Sequence, residues 1–438
     1  MRRLALCITG SARLIAATAM QPRTLINRVQ RQLKSGTLGK FALSMSSAIL
    51  ARVGLLLLAI IVARNFGTSD YGAFTFATST ALIVAQVAVL GWPILMNRLI
   101  PEFVRDENWG ALRGLRDAGD WLILSTGVVG SLILWLLVRV TGQLGSGFLL
   151  SAILVIPFAF AIMRRQQLTA VRLSALGLLF DQGFGALIAA GVLFAIGVSS
   201  IEEAVAIFAG AMMLGIVITT VIFNRRLPSQ VRSATRDIQF WTWTKISIPL
   251  FVGMSAKLLM NKADILMLAP LAGLHESGLY GAAFRITFLL TFPQMVMMTV
   301  LTPLISEAFA KGEEHKIKPL LRMGLWAAAA TAIPASLPLI LFPGPIMAFL
   351  FGEAFREAAI PLALLTIGQL ASSFASPMAS LLMMGGREKA YGTLNAVGFG
   401  CHILMNFALI PLYGAVGAAI STMVVSLLLW AGQMYLKR

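Results

Sequence analysis

The stretch FVGMSAKLLMNKADILMLAP, residues 251–270, has the length of a membrane-crossing helix, yet it carries three charged side chains. About 20 mostly apolar residues are enough to cross a bilayer as a helix. A charged side chain near the bilayer centre is costly, so it normally faces a partner or a water-filled cavity. The stretch therefore predicts a membrane span with one polar face, built from some of Lys257, Lys262 and Asp264.

The whole chain has the composition of a multi-pass membrane protein. Of its 438 residues, 58% are hydrophobic and 12% are charged, whereas soluble domains carry about 25% charged residues. Apolar runs of roughly 20 residues recur along it. We predict an all-α polytopic membrane fold with about 12 transmembrane helices, at residues 41–64, 72–99, 120–140, 148–165, 173–196, 203–223, 241–269, 279–306, 320–342, 355–384, 389–410 and 414–436.

The sequence offers no pattern typical of an enzyme, a metal site or a cofactor site. Its two cysteines, Cys7 and Cys401, are far apart, and its three histidines lack the spacing of metal ligands. The glycines of SGTLGKF, residues 35–41, are too close together for a phosphate-binding loop. We therefore expect no catalytic residue, no metal and no cofactor.

The basic residues are divided unevenly between alternate connections. Most of the 35 Lys and Arg residues lie in every second connection, whereas connections such as NFGTSDY and LAGLHESG contain none. Because basic connections stay in the cytoplasm, both termini are predicted to be cytoplasmic. The net charge of +17 then follows from topology, with contact to the anionic lipids of the phospholipid bilayer as a secondary effect and no nucleic acid as partner.

The sequence contains a decayed internal repeat. NFGTSDYGAFTFATS follows the first predicted span and LAGLHESGLYGAAFRIT follows the seventh, and each places a Tyr-Gly pair, Tyr71–Gly72 or Tyr280–Gly281, at the start of the next span. Six spans per repeat is an even number, so the two halves have the same orientation in the membrane. The predicted organisation is a basic cytoplasmic arm at 1–40, six-helix bundles at 41–223 and 241–438, and a cytoplasmic linker at 224–240.

Apart from the basic residues at or next to the span ends, five basic residues fall inside the predicted spans. Lys245 is about one turn from the inner end of its helix and can reach the interface, whereas Arg52 is central and is expected to face a cavity. Arg285 lies about one turn inside the outer boundary, where reaching the interface and lining a cavity are both open. The other two basic residues, Lys257 and Lys262, belong to the opening stretch.

In the opening stretch, the spacing i, i+4, i+7 places Lys257, Asn261 and Asp264 on one helical stripe, with Lys262 to one side. Two interpretations of this stripe remain open, a polar cavity wall and a self-contained polar ladder that only fixes packing. Lys262 either lines the same cavity or extends outward to the interface. A membrane cavity rich in Lys and Arg and poor in acids is typical of a site for an anion, above all a phosphate. The candidate substrate-binding residues are Arg52, Lys257, Asn261, Lys262, Asp264 and Arg285.

Two paired motifs give the chain a family resemblance. The pattern R-x-x-G…D-Y-G is formed by Arg64, Gly67, Asp70, Tyr71 and Gly72, and the pattern D-x-x-x-L…G-x-Y by Asp264, Leu268, Gly278 and Tyr280. With twelve spans in two halves, residues 40–438 resemble the Wzx-type polysaccharide-biosynthesis flippases of the multidrug/oligosaccharidyl-lipid/polysaccharide (MOP) exporter superfamily.

The resemblance implies a V-shaped, MATE-like pair of bundles that alternates between inward-open and outward-open states. It implies an undecaprenyl-pyrophosphate-linked oligosaccharide as cargo, moved across the bacterial inner membrane for O-antigen or exopolysaccharide synthesis. Polysaccharide polymerase and export proteins would be the partners of such a transporter. The chain departs from strict symmetry, because Phe76 in the first half stands where Arg285 stands in the second. It also lacks the two further spans of the related lipid II flippases.

Three other functions are compatible with parts of the pattern. A multidrug/cation antiporter of the same superfamily is the main alternative, but it needs acids rather than bases inside the membrane. A membrane enzyme acting on lipid-linked sugars needs sizeable outer loops, and the outer connections here are short. A non-transporting assembly factor is the third.

Overall fold

The protein is helical throughout the part that the computed structural model describes, residues 37–138 and 145–436, and this part contains no strand. The predicted basic arm lies outside these residues except for positions 37–40. Eight helical stretches of the described part are long and apolar enough to cross a membrane, and one bent pair of helices would be a ninth. The predicted all-α, multi-pass membrane fold is therefore confirmed.

The helices follow one another with short connections. In chain order they are α1 (Thr37–Ala88), α2 (Trp92–Arg105), α3 (Trp109–Leu137), α4 (Gly145–Ala170), α5 (Ser174–Phe180), α6 (Gly183–Ile196), α7 (Ile201–Arg226), α8 (Gln230–Ser233), α9 (Phe240–Ala272), α10 (Leu274–Leu289), α11 (Thr291–Ala310), α12 (Ile317–Leu341), α13 (Pro343–Phe351), α14 (Ala359–Met384) and α15 (Glu388–Leu436). Two 3₁₀ turns, Glu314–Lys316 and Glu353–Ala358, precede α12 and α14.

Helix α15 contains two of the predicted spans, and α1 contains one span and most of a second. Helix α1 has 52 residues and α15 has 49, about twice the length that a bilayer requires. Each bends sharply at one glycine with a positive φ, Gly67 (φ 78°) in α1 and Gly414 (φ 52°) in α15. Residues with a side chain rarely adopt this conformation, so glycine allows the chain to turn back within a continuous run of helix.

The repeated Tyr-Gly motifs bring the first half of the chain (residues 37–226) against the second half (residues 240–436). The most extensive contact between these halves is that of α10 with α1. A Cβ atom on Gly72 would lie 1.8 Å from the carbonyl oxygen of Leu274, and one on Gly278 would lie 2.1 Å from the carbonyl oxygen of Thr68. The two helices therefore pack backbone against backbone, as small residues permit in membranes.

A second contact between the halves lies toward the end of the predicted span 72–99, whose first residue, Gly72, makes the contact described above. Helix α1 ends before Leu90 and Gly91, which both have positive φ, so the predicted span 72–99 is in fact broken there. A Cβ on Gly91 would lie 2.4 Å from the carbonyl oxygen of Ser247 in α9. The fully buried Trp92 then packs edge-to-face on Trp243, with ring centroids 6.0 Å apart.

The linker between the halves is packed against α3. A Cβ on Gly114 would lie 1.9 Å from the carbonyl oxygen of Asp237, so the linker backbone lies directly on the helix. The Arg113 guanidinium donates a hydrogen bond of 2.8 Å to the carbonyl oxygen of Ala234. Ala234 and Asp237, which lie in the predicted linker 224–240, thus contact a helix of the first half.

Candidate functional site

A cavity of about 370 Å³ lies between the two halves. It is lined by both arms of α1, by the break between α5 and α6, and by α9, α10 and α11, with further residues from α4 and α7. Aromatic rings cover much of its surface, from Phe74, Phe158, Phe208, Phe284, Phe288 and Phe292. Along α1, the lining residues Phe74 to Leu82 lie between the contact at Gly72 and the contact at Gly91.

The charged side chains of this cavity are predominantly basic. Among the described residues that line it, four are basic and one is acidic, namely Arg52, Arg165, Lys262, Arg285 and Asp181. Arg52 and Arg165 come from the first half, and Lys262 and Arg285 come from the second. An anion between the halves can therefore contact bases on both sides.

Arg52 and Arg285 each reach across the boundary between the halves. The guanidinium carbon of Arg52 in α1 lies 4.3 Å from the ring centroid of Phe288 in α10, a cation–π contact. Arg285 in α10 donates a 3.2 Å hydrogen bond to the carbonyl oxygen of Leu55 in α1. Of the two alternatives for Arg285, the structure therefore shows the cavity position.

Among the described side chains of α9, Asn261, Lys262 and Ile265 face the cavity, and Asp264 does not line it. Lys262, which the stripe pattern set to one side, thus lies in the cavity, with its Nζ 5.8 Å from the ring centroid of Phe284. Asp264 therefore does not share the cavity face with Asn261, as the cavity-wall interpretation of the stripe had expected, and Lys262 does. The side chain of Lys257 lies outside the described residues.

Asp264 instead occupies a closed polar cluster within the second half. Its Oδ1 accepts hydrogen bonds from His402 (2.6 Å) and Asn406 (2.7 Å), both on α15. Its Oδ2 accepts from Tyr280 (2.5 Å) and Thr422 (3.0 Å). Only 5% of Asp264 is exposed, so four side-chain donors replace its hydration.

This Asp264 cluster explains why the helix turns the carboxylate away from the cavity. Carboxylates are stable inside a membrane only where donors surround them. Tyr280 supplies one donor from α10, and the two arms of α15 supply the other three on the same side of α9. His402 was expected from the sequence to make contacts between helices rather than to bind a ligand, and it does so here. Its pairing with Asp264, and that of Asn406 and Thr422, was not predictable, because all three lie more than 100 residues from Asp264 and share no spacing with it.

Two further residues line the cavity, Arg165 and Asp181, and neither was among the candidate substrate-binding residues. Arg165 is the last residue of the predicted span 148–165 and counted with the basic connection after it, but α4 continues to Ala170, so this side chain lies on a helix beside the cavity. Arg165 Nη1 and Asp181 Oδ2 form an ion pair of 3.0 Å. The one signal for the site was an acid, Asp181, inside the otherwise apolar predicted span 173–196.

The remaining motif residues hold the connections at the end of the first span. Arg64 donates hydrogen bonds to the carbonyl oxygens of Leu350 (3.0 Å) and Phe349 at the end of α13. This contact satisfies carbonyl groups that have no partner within their own helix. Tyr71 is fully buried, with its ring centroid 5.6 Å from that of Phe355. The R-x-x-G…D-Y-G motif is thus explained by helix capping and packing.

Sequence comparisons agree with this architecture. Residues 249–408 match the MatE family. The chain is 24% identical over 187 residues to an uncharacterized membrane protein of Methanocaldococcus jannaschii and 23% identical over 203 residues to the probable flippase AglR of Haloferax volcanii. These matches span 42% and 46% of this chain, and 37% and 41% of the two relatives.

Structural comparisons extend the similarity to nearly the whole chain. An inward-facing multidrug resistance MATE family transporter of the MOP superfamily superposes with a TM-score of 0.67 at 15% identity, over 90% of this chain and 98% of that one. The lipid II flippase MurJ, in an inward closed conformation, superposes with a TM-score of 0.65 at 12% identity, over 91% of this chain and 88% of that one. The chain is therefore a multi-pass membrane protein that shares its fold with this MATE transporter and with MurJ, and its residues 249–408 are similar to the MatE family.

Proposed function

We propose that this protein is a flippase that moves an anionic lipid-linked oligosaccharide, of the undecaprenyl-pyrophosphate type, across a bacterial inner membrane by alternating access. The observation that carries the proposal is the charge of the cavity, whose described lining contains four bases, Arg52, Arg165, Lys262 and Arg285, and one acid. Guanidinium and ammonium groups in a partly desolvated cavity bind phosphate oxygens strongly. The similarity of the chain to the probable flippase AglR and to the lipid II flippase MurJ also supports the proposal of a flippase.

The dimensions of the cavity suit the headgroup of such a lipid. Ligand cavities of about 300–1,000 Å³ enclose drug-sized molecules, and 370 Å³ accommodates a diphosphate with the sugar attached to it. The remaining sugars would extend beyond the cavity into water. The lipid chain would stay in the bilayer, where it costs no transfer of apolar surface into water.

The same proposal includes the orientation and the domain organisation. The halves would act as two six-helix lobes joined by the linker on α3, with both termini in the cytoplasm. The basic residues support this orientation, because they are concentrated in every second connection. The exposed Trp241 and Tyr435 lie at helix ends next to such basic stretches, as expected at a membrane interface. Tryptophan and tyrosine are enriched at such membrane interfaces.

Multidrug export is the second candidate function. The six phenylalanines that line the cavity favour it, because flat aromatic drugs stack on such rings. The fold is also that of a multidrug resistance transporter. A cationic drug, however, would find only Asp181 as a counter-ion, and Asp181 is already paired with Arg165.

Reconstitution into liposomes tests the two candidates side by side. We expect the purified protein to translocate a fluorescent undecaprenyl-diphosphate sugar, measured by loss of access to a membrane-impermeant quencher, and not to transport ethidium. Arg285→Ala should slow lipid translocation at least about tenfold, the effect of losing roughly 1.4 kcal/mol of binding. The matched control is Arg356→Ala, because Arg356 is exposed and pairs locally with Glu353. Ethidium transport without lipid translocation would contradict the flippase function.

A further inference from the structure

A second, smaller cavity adjoins the basic one, and we call it the side groove. It has a volume of about 140 Å³ and lies between the first arm of α1 and the junction of α10 with α11. Helix α1 belongs to the first half and the other two helices belong to the second, so the side groove lies on the boundary between the halves. Its described lining consists of Ile49, Arg52, Val53, Phe288, Leu289, Thr291 and Phe292.

The lining of the side groove is almost entirely apolar. The hydroxyl group of Thr291 donates a 2.6 Å hydrogen bond to the carbonyl oxygen of Phe288, so it is already satisfied within the protein. Arg52 is the one charged residue of the described lining, and its guanidinium group lies over the ring of Phe288. A sugar or a phosphate in such a groove would lose hydrogen bonds to water without replacing them. The composition therefore suits a hydrocarbon chain.

The side groove is directly joined to the basic cavity. Four residues line both of them, namely Arg52, Phe288, Leu289 and Phe292. An amphiphilic molecule can therefore occupy both at once, with its charged end among the bases and its apolar end in the groove.

The side groove also faces the lipid-exposed surface of α1. Ile49 and Val53 lie one helical turn apart, are 44% and 40% exposed, and do not line the basic cavity. Leu57 continues the same stripe and lines neither the cavity nor the groove. An exposed apolar stripe along a membrane-spanning helix is in contact with lipid. The side groove thus connects the basic cavity with the bilayer.

Resting on the proposed function, we propose that the side groove binds the lipid chain of the substrate, an isoprenoid joined to the diphosphate, and that Arg52 contacts the phosphate to which this chain is attached. Arg52 is suited to this position because it lines both sites, and guanidinium groups bind phosphate oxygens well. The sugar lies on the other side of the diphosphate, in the basic cavity. The chain then runs from the diphosphate into the bilayer without exposing its apolar surface to the water of the cavity.

Two adjacent exposed residues of α1 provide a matched pair of variants. Ile49 lines the side groove, whereas Leu50 is equally exposed and lines neither the groove nor the basic cavity. Ile49→Trp therefore places an indole ring in the groove, and Leu50→Trp places the same ring elsewhere on the surface of the helix. Because neither residue lines the basic cavity, both variants should bind inorganic pyrophosphate like the wild type.

Ligand binding to the full-length protein in phosphatidylcholine nanodiscs tests the proposal. The probes are inorganic pyrophosphate, which has no chain, and farnesyl diphosphate, which has an isoprenoid chain. Ile49→Trp should bind farnesyl diphosphate at least about tenfold more weakly than the wild type, since excluding about two CH₂ groups from an apolar site is enough for this change. Leu50→Trp should bind it like the wild type. Partitioning of the chain into the bilayer is the same for all three proteins, so a difference between them reports the groove.

The outcomes separate this proposal from the one on which it rests. Equal farnesyl diphosphate affinities for Ile49→Trp and Leu50→Trp, with pyrophosphate bound by the wild type, overturn the chain site and leave the flippase function standing. No binding of either diphosphate by the wild type overturns both. If Ile49→Trp does not fold, Val53→Trp gives the same comparison, with Leu57→Trp as its control.

Photo-crosslinking identifies the occupant of the side groove. A farnesyl diphosphate with a diazirine in its first isoprene unit should label the segment of α1 that contains Ile49 and Val53, and excess unlabelled farnesyl diphosphate should prevent this labelling. A photoactivatable phosphatidylcholine is the competing probe. If it labels the same segment and excess farnesyl diphosphate does not reduce that labelling, ordinary membrane lipid fills the groove and the proposal is overturned.

Discussion

The cavity and the Asp264 cluster are two polar regions of one membrane protein, and they differ in how completely their charged side chains are paired. In the cluster, one carboxylate accepts hydrogen bonds from four side chains and is 5% exposed. In the cavity, four bases share one acid and much of their charge remains available. Full pairing makes a buried charge part of the packing, whereas partial pairing leaves it free for a ligand. Helix α10 serves both regions, since it carries Tyr280 and Arg285.

The largest effect is expected from Asp264→Ala, which should lower the stability of the protein. It leaves His402, Asn406 and Tyr280 without their common acceptor in a buried site, which costs about 3–5 kcal/mol in the free energy of unfolding. Thermal unfolding in detergent should show the loss, together with lower yield. A variant that unfolds like the wild type but no longer transports would instead make Asp264 a functional residue.

Removing bases from the cavity should reduce transport and leave the stability of the protein nearly unchanged. The double substitution Arg52→Gln and Lys262→Gln is expected to reduce translocation of a lipid diphosphate by about 100-fold, or roughly 2.7 kcal/mol, because one base is lost from each half. The melting temperature should stay close to that of the wild type. The control is Lys311→Gln, a change at an exposed residue paired with Glu307 on its own helix. Normal transport by the double variant would contradict the anion site.

A substitution at Gly278 should disturb both regions together. An added methyl group would meet the carbonyl oxygen of Thr68 at 2.1 Å and push α10 away from α1. Gly278→Ala is therefore expected to cost about 1–3 kcal/mol and to slow transport as well. Gly191→Ala is the matched control, because a methyl group there meets no atom within 4 Å. Loss of transport with unchanged stability would show that the contact matters for movement rather than packing.

The smallest expected effect is that of Thr422→Val. It removes one of the two donors to Asp264 Oδ2 and keeps the shape of the side chain, so stability should fall by about 1 kcal/mol. Transport should be unchanged once the protein is folded. A transport defect larger than the loss of stability explains would contradict the assignment of the Asp264 cluster to packing alone.

Much of the architecture was predictable because it follows from local patterns. The apolar runs predicted the helical membrane fold, and Gly67 and Gly72 stand out in a motif that recurs with Gly278 and Tyr280. The site was only partly predictable. Arg52 and Arg285 could be selected as charges inside spans, since burial in lipid makes any such residue conspicuous. Arg165 could not, because it lies at the end of its predicted span, where a charge needs no explanation. Asp181 was visible as an acid within a predicted span, but the sequence favoured solvation over a place in the cavity.

The sequence by itself determined the membrane class, the helical spans and the excess of bases over acids within them. These properties depend on the solvent, because the bilayer requires about 20 apolar residues per crossing whatever the helices pack against. Only the tertiary structure decided which side of α9 faces the cavity. Asn261 and Asp264 lie close together around the axis of α9, so a small rotation of this helix would change which of them faces the cavity. The donors on α10 and α15 fix the orientation of α9, because they surround Asp264. Lys262 therefore enters the cavity and Asp264 does not, since the buried carboxylate could be stabilised only on the side where its partners lie.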